Sequence, residues 1–216
     1  MFNKYDTLLT KEDTQKLEKI HFKSRFYPFF LKKRRLNRIL REVKKILYKY
    51  GVDYPISMDF SYPKIASIYS RAVVEKTSYT SPTIKIHYNP LFISEDIEEH
   101  IKTGLHEYSH IFCLQASEIK KGVFQFYGID GESFSNSINY VLNNEIMPKV
   151  RSKLKQIGID DDDYIREDFF CEWFQEYLLN KHDDISNDVK QQCQNIIKSH
   201  IIIMNLIHQR RLYFNH

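Results

Sequence analysis

The residues best suited to do chemistry form one short run, His106-Glu107-Tyr108-Ser109-His110. The two histidines are four positions apart, so on a helix they lie about 40° apart and one turn along the axis, where both imidazoles can reach one metal ion. Glu107 projects from the same rim, toward a metal-bound water that it could deprotonate as a general base. The pattern H-E-x-x-H predicts a zinc centre with His106 and His110 as ligands and Glu107 as the catalytic residue.

A catalytic zinc ion needs three protein ligands and one open position, so a third ligand must come from elsewhere. The best candidates lie on a predicted helix downstream, where acidic residues recur every four positions among aromatic ones: Asp168, Glu172 and Glu176. One carboxylate can bind the metal while the next, one turn away, supports the free ring nitrogen of a zinc-bound histidine. His182, just after this helix, is a spare ligand.

The H-E-x-x-H helix is expected to be packed rather than exposed, because apolar residues flank the motif at helical spacing: Ile97, Ile101, Leu105, Tyr108, Ile111 and Phe112. Gly104 would let another backbone approach closely. His100 falls on a different helix face from His106 and is expected in solvent. The strand at 83–89 directly precedes this helix, where an edge strand would hold an extended substrate.

The remaining pattern predicts an α+β fold. Helices are predicted at 29–50, 94–118, 132–156, 165–181 and 186–212, and short strands at 56–60, 66–74 and 84–88. We expect a small, mostly antiparallel sheet packed on the H-E-x-x-H helix, followed by a helical C-terminal half. Residues 1–54 would form a basic amphipathic segment and residues 55–216 the catalytic domain, together making one compact unit.

Composition excludes intrinsic disorder and collagen-like structure, since 42% of the 216 residues are hydrophobic, 14% are aromatic, and only 6 are Gly and 6 Pro. The net charge of +4 hides an asymmetry: residues 1–50 hold 15 of the 32 basic side chains and 5 of the 28 acidic ones. The basic residues at 32–49 have three interpretations: a solvated helix face, a nucleic-acid contact, or a contact with an anionic membrane surface.

The 3 cysteines are widely spaced and form no C-x-x-C pair, so a disulfide framework or a cysteine zinc site is not expected, and a reducing compartment is favoured. The N-terminus lacks the apolar core of a signal peptide. The apolar run at 196–207 is interrupted by Lys198, His200 and Asn205 and is too polar to span a bilayer. We therefore expect a cytoplasmic protein, with export as an effector left open.

Over about residues 55–180 the chain resembles the zincin metallopeptidases with an acidic third ligand, the gluzincin branch. The stretch 169–174, FFCEWF, is similar to the E-F-F-A-E-x-F helix of anthrax lethal factor-type peptidases, whose first Glu binds zinc and whose second supports it. The resemblance implies Asp168 as third ligand, with Asp replacing Glu, and Glu172 as its support. A register with Glu172 as ligand and Glu176 as support stays open, and Glu167 is a third choice.

The strand–turn–helix layout of 84–91 and 106–110 also resembles SprT-like proteases, which act on DNA-bound proteins. That resemblance is architectural only, because the third histidine pattern and the cysteine zinc ribbon of those proteases are missing. The sequence thus predicts a zinc-dependent metallopeptidase acting on a protein or peptide substrate. Two alternatives stay open: a zincin-fold regulator of the ImmA/IrrE kind that cleaves one partner or none, and a basic nucleic-acid-associated protein with a fortuitous H-E-x-x-H.

Overall fold

The structure is a computed structural model that describes residues 10–61, 70–121, 131–156, 158, 163–182 and 184–214. Its α-helices are α1 (Lys11–Arg25), α2 (Phe29–Tyr48), α3 (Ile97–Lys120), α4 (Gly131–Val141), α5 (Met147–Gln156), α6 (Asp163–Leu178) and α7 (Asn187–Phe214), and its strands are β1 (Ile56–Phe60), β2 (Ala72–Val74) and β3 (Ile84–Tyr88). A π-helical turn, Leu142–Ile146, joins α4 to α5. The predicted α+β class is confirmed; part of the predicted second strand lies outside the described residues.

The sheet has the order β1-β3-β2, with β1 parallel and β2 antiparallel to β3. It is therefore mixed, and the expectation of a mostly antiparallel sheet is wrong. The expectation that the strand at 83–89 is an edge strand is also wrong, because β3 is the central strand of the three. Alternation predicts which side chains of β3 face the core, and Ile84, Ile86 and Tyr88 are indeed buried, but it carries no information on which strands lie beside it.

The sheet and α2 both pack on α3. The apolar stripe of α2 contributes Ile39, Val43 and Leu47, all with no exposed surface. At Gly104 of α3, an added Cβ would overlap the hydroxyl of Tyr88 and come within 3.1 Å of Cγ2 of Val43. The close neighbour of Gly104 is thus a side chain rather than the backbone we expected.

His100 is fully buried, so the expectation of a solvated side chain is wrong. Its ring makes edge-to-face contacts with Tyr88 and Phe60, at centroid distances of 5.3 and 5.5 Å. The hydroxyl of Tyr88 donates to the carbonyl of His100 at 2.8 Å. Burial lowers the pKa of His100 to about 4, which keeps the imidazole neutral in the apolar interior.

Helices α6 and α7 cover α3 on its other sides. Phe112 of α3 meets Phe174 of α6 edge to face at 5.2 Å, and Phe170 stacks on Phe174 at 5.1 Å. From α7, His200 is within 2.7 Å of both the Tyr108 hydroxyl and the Gln115 amide oxygen. These contacts fix the face of α3 that carries the H-E-x-x-H run. In the described part of the chain, no helix is both long and apolar enough to cross a membrane.

Candidate metal centre

Helix α3 brings the two histidines of the motif together near its middle. The ring centroids of His106 and His110 are 5.0 Å apart, with the planes nearly perpendicular. Both side chains are mostly buried, with 17% and 19% of their surface exposed. Their neighbours Leu105 and Tyr108 have no exposed surface, so packing of α3 fixes the direction in which the imidazoles point.

Helix α6 adds a carboxylate to this pair. Oδ1 of Asp168 is 3.3 Å from Nε2 of His106, and one ligand atom each from His106, His110 and Asp168 lie within 4.8 Å of one another. Tetrahedral zinc with bonds of about 2.0–2.1 Å spaces its ligands by about 3.3 Å. The 3.3 Å between His106 and Asp168 fits this spacing. The widest separation in the cluster, within 4.8 Å, would need only a side-chain adjustment to reach it. Two imidazoles and a carboxylate are therefore a set that could hold a divalent metal.

Two further carboxylates support the histidine rings from behind. Oε1 of Glu167 is 2.7 Å from Nδ1 of His110, and Oε2 of Glu172 is 3.5 Å from Nδ1 of His106. A carboxylate on Nδ1 fixes the ring and leaves Nε2 to bind a metal. Glu176, the support in the competing register, instead lies 3.3 Å from the ammonium of Lys181. Asp168 is thus in the cluster with the two histidines, whereas Glu167 contacts the Nδ1 side of the His110 ring and Glu176 contacts Lys181.

The charge of the site favours a cation. Partial burial disfavours the imidazolium form of His106, but hydrogen bonds to Asp168 and Glu172 outweigh burial and raise its pKa to about 10. Desolvation likewise opposes ionisation of Asp168, yet the contact with His106 lowers its pKa. The negative potential that holds a proton on His106 is the potential that would attract a divalent ion in its place.

Glu107 lies beside the two histidines, buried, with 8% of its surface exposed. Its Oε2 accepts a hydrogen bond of 2.8 Å from the backbone N–H of Val74 on β2. Burial raises the pKa of Glu107, while the neighbouring His110 and His106 oppose that rise. A carboxylate with a raised pKa beside a metal site is suited to accept and return a proton near neutral pH.

Two residues near the cluster do not join it: His182, which the sequence offered as a spare ligand, and Cys171. The ring of His182 stacks on that of Trp173 at 4.5 Å, and its Nε2 lies 3.1 Å from the Trp173 carbonyl oxygen. Cys171 is fully buried, and burial raises the pKa of its thiol, which keeps it protonated. His182 is therefore engaged elsewhere, and Cys171 serves packing rather than nucleophilic chemistry.

Sequence reasoning missed Val74, because a backbone donor leaves no signature in residue type. It also named Glu167 only as a third choice of ligand, and not as a hydrogen-bond partner of His110. That second position could have been predicted, because Glu167 directly precedes Asp168 and so lies on an adjoining face of α6. The chain matches no protein-family model, no curated protein and no solved structure.

Proposed function

We propose that this protein is a zinc-dependent metallopeptidase with a zincin-like catalytic core. The observation that carries the proposal is the convergence of His106, His110 and Asp168 within 4.8 Å, at a site where the buried carboxylate of Glu107 follows the first histidine. In this proposal the three clustered residues hold the ion, and Glu167 and Glu172 orient the two imidazoles. Zinc bound there would act as a Lewis acid that lowers the pKa of water and polarises a carbonyl.

Glu107 has the role of general base. Its raised pKa and its position next to both imidazoles suit it to take a proton from an attacking water and pass it to the leaving amine. The N–H of Val74 holds one carboxylate oxygen, so the other is left to face the reacting water. Peptide hydrolysis is the reaction that this combination of groups serves in general.

We place the substrate along β2, since β3 is internal to the sheet. The hydrogen bonds between β2 and β3 involve Arg71 and Glu75, so in an antiparallel ladder the backbone groups of Ala72 and Val74 point away from β3. The N–H of Val74 reaches Glu107 on that side. An extended peptide added to this outer edge would run past Glu107 with its carbonyls regularly spaced. A protein or peptide substrate in extended form is therefore the substrate we propose.

The thiols support a reducing compartment, and we propose the cytoplasm. Cys113, Cys171 and Cys193 are all free, and two of them are buried. Burial raises the pKa of Cys193 as well, so none of the buried thiols is activated for exchange.

The decisive test is Glu107→Gln, compared with Glu98→Gln, an exposed position on the same helix. Purified protein should contain about one zinc per chain, which His106→Ala removes. Glu107→Gln should keep the metal and lose at least about 100-fold in cleavage of a fluorescence-quenched peptide library, while Glu98→Gln stays active. If the wild-type protein holds no metal, the alternative of a nucleic-acid-associated protein with a fortuitous H-E-x-x-H is favoured. If it holds metal but cleaves neither peptides nor cellular proteins, the alternative of a zincin-fold regulator is favoured.

A further inference from the structure

A second feature of interest lies at the N-terminal end of α3, on the basic helix α2. A cavity of about 590 Å³ opens there between α2, the α1–α2 turn and the first residue of α3. Four arginines from one side of α2 line it: Arg34, Arg35, Arg38 and Arg41. Ile97, on the wall opposite, precedes His106 by about 14 Å of helix, so this cavity is separate from the metal centre.

Arg35 supplies the innermost guanidinium. Its Nε and Nη2 atoms are buried, and in the described part of the chain neither has a hydrogen-bond partner. Its Cζ is 5.7 Å from the ring centroid of Tyr27, which holds the guanidinium plane at the cavity wall. Buried N–H donors without an acceptor are unfavourable, so this guanidinium is prepared for an acceptor from outside the chain.

The arginine charges are also poorly neutralised. Among described residues, no carboxylate lines the cavity. The nearby Glu95 and Glu99 are directed to Arg71, at 2.9 and 3.7 Å. Of the four cavity arginines, only Arg41 is in an ion pair with a described residue, Glu42 at 3.5 Å, and both side chains are partly solvated. The cavity therefore has a strong positive potential that its own side chains leave unbalanced.

We propose that this cavity is a binding site for phosphate groups. The planar fork of a guanidinium matches a phosphate in a two-point hydrogen bond, and four such forks surround one space. A volume of about 590 Å³ lies in the range of small-molecule sites, and Leu31 and Ile97 provide apolar wall for an organic part of the ligand. The phosphate could belong to a small ester or to a nucleic-acid strand, since Arg34, Arg38 and Arg41 follow one another along the helix and suit both.

The test compares two variants of equal charge. Arg34→Gln with Arg38→Gln removes two cavity arginines, and Lys33→Gln with Lys44→Gln removes two lysines from the other side of α2; all four side chains are exposed, so folding should persist. The probes are inorganic pyrophosphate, measured by calorimetry, and a dye-labelled oligothymidine of about a dozen nucleotides, measured by anisotropy. A third variant, Arg35→Lys, keeps the positive charge but loses the two-point hydrogen bonding of the guanidinium.

We expect the arginine pair to weaken binding by about 10-fold or more and Arg35→Lys by several-fold, with the lysine pair within about 2-fold of wild type. Metal content should stay unchanged in all variants, which separates this site from the metal centre. If pyrophosphate binds more tightly than oligothymidine, the phosphate group belongs to a small ester. If oligothymidine binds and its affinity rises with length, the phosphate belongs to a nucleic-acid strand. Equal loss in both double variants, or no binding of either probe by wild type, would overturn the proposal.

Discussion

The backbone N–H of Val74 donates a 2.8 Å hydrogen bond to Oε2 of Glu107, which ties β2 to the middle of α3. The bonds that flank Val74 in the sheet run from Asn89 N–H to the Arg71 carbonyl and from Glu75 N–H to the Lys85 carbonyl. Val74 therefore lies opposite Ile86 of β3 in a non-hydrogen-bonded pair, and its N–H points away from β3 to Glu107, which takes the place of a strand partner on that side. The contact orients the carboxylate that we propose as general base.

Val74→Pro removes this one donor without removing a bond between β2 and β3. We expect zinc content to stay the same and peptide cleavage to fall by about 10- to 100-fold, because a misplaced base reacts poorly even when present. Val74→Ala keeps the N–H and is the matched control. Equal losses in the proline and alanine variants would show that the side chain of Val74, and not its hydrogen bond, matters.

The metal affinity should depend on Asp168 far more than on its acidic neighbours. Asp168→Asn removes a proposed ligand and should raise the zinc dissociation constant by at least about 100-fold. Glu167→Gln and Glu172→Gln remove only supporting hydrogen bonds and should cost about 10-fold each. Glu176→Gln should have no effect, because Glu176 contacts Lys181.

Competition with a chromogenic chelator measures these affinities on one scale. If Glu172→Gln and Glu176→Gln weaken zinc more than Asp168→Asn does, the competing register is correct and the side chains rearrange when metal binds.

Helices α2, α3, α6 and α7 were predictable because their apolar spacing persists over many residues, and each begins and ends within a few residues of expectation. Helix α1 was not predicted, and none of its residues is buried, so it has no apolar face to reveal it. We predicted that Asp168 would share a site with His106 from the residue types on α6 and from a local resemblance to a known helix. The neighbours of β3 were not predictable, because alternating side chains define two faces and say nothing about lateral partners. The prediction for His100 was wrong for a related reason. The spacing from His106 shows that the two side chains lie on different faces of α3, but it does not show whether the face of His100 is buried.

Gly104 can be tested with its neighbour Tyr88. Gly104→Ala should destabilise the fold by about 1–3 kcal/mol, since the added methyl group meets the Tyr88 hydroxyl and Val43. Tyr88→Phe removes that hydroxyl, and its own cost should be about 1 kcal/mol for the bond to the His100 carbonyl.

In the Tyr88→Phe background, Gly104→Ala should cost less than it does alone. Urea unfolding of the four proteins gives the coupling energy. Strictly additive effects would mean that the clash lies with Val43 or the backbone instead.

His200 should make the fold sensitive to acid. It is fully buried, and burial lowers its pKa from about 6.5 to about 3. Its hydrogen bonds fit the neutral ring, with Tyr108 O–H donating to Nε2 and Nδ1–H donating to the Gln115 oxygen. The unfolded chain takes up a proton near pH 6.5 and the folded chain only near pH 3. Stability should therefore fall as pH drops through that window, by up to about 5 kcal/mol.

Urea unfolding between pH 7 and pH 4 measures this loss. His200→Gln removes the titrating group and should flatten the pH dependence, although it lowers stability at pH 7 by breaking the contacts with Tyr108 and Gln115. His208→Gln, at an exposed position on the same helix, is the matched control and should keep the wild-type slope. An unchanged slope in His200→Gln would assign the acid sensitivity to His100, whose pKa burial also lowers, to about 4.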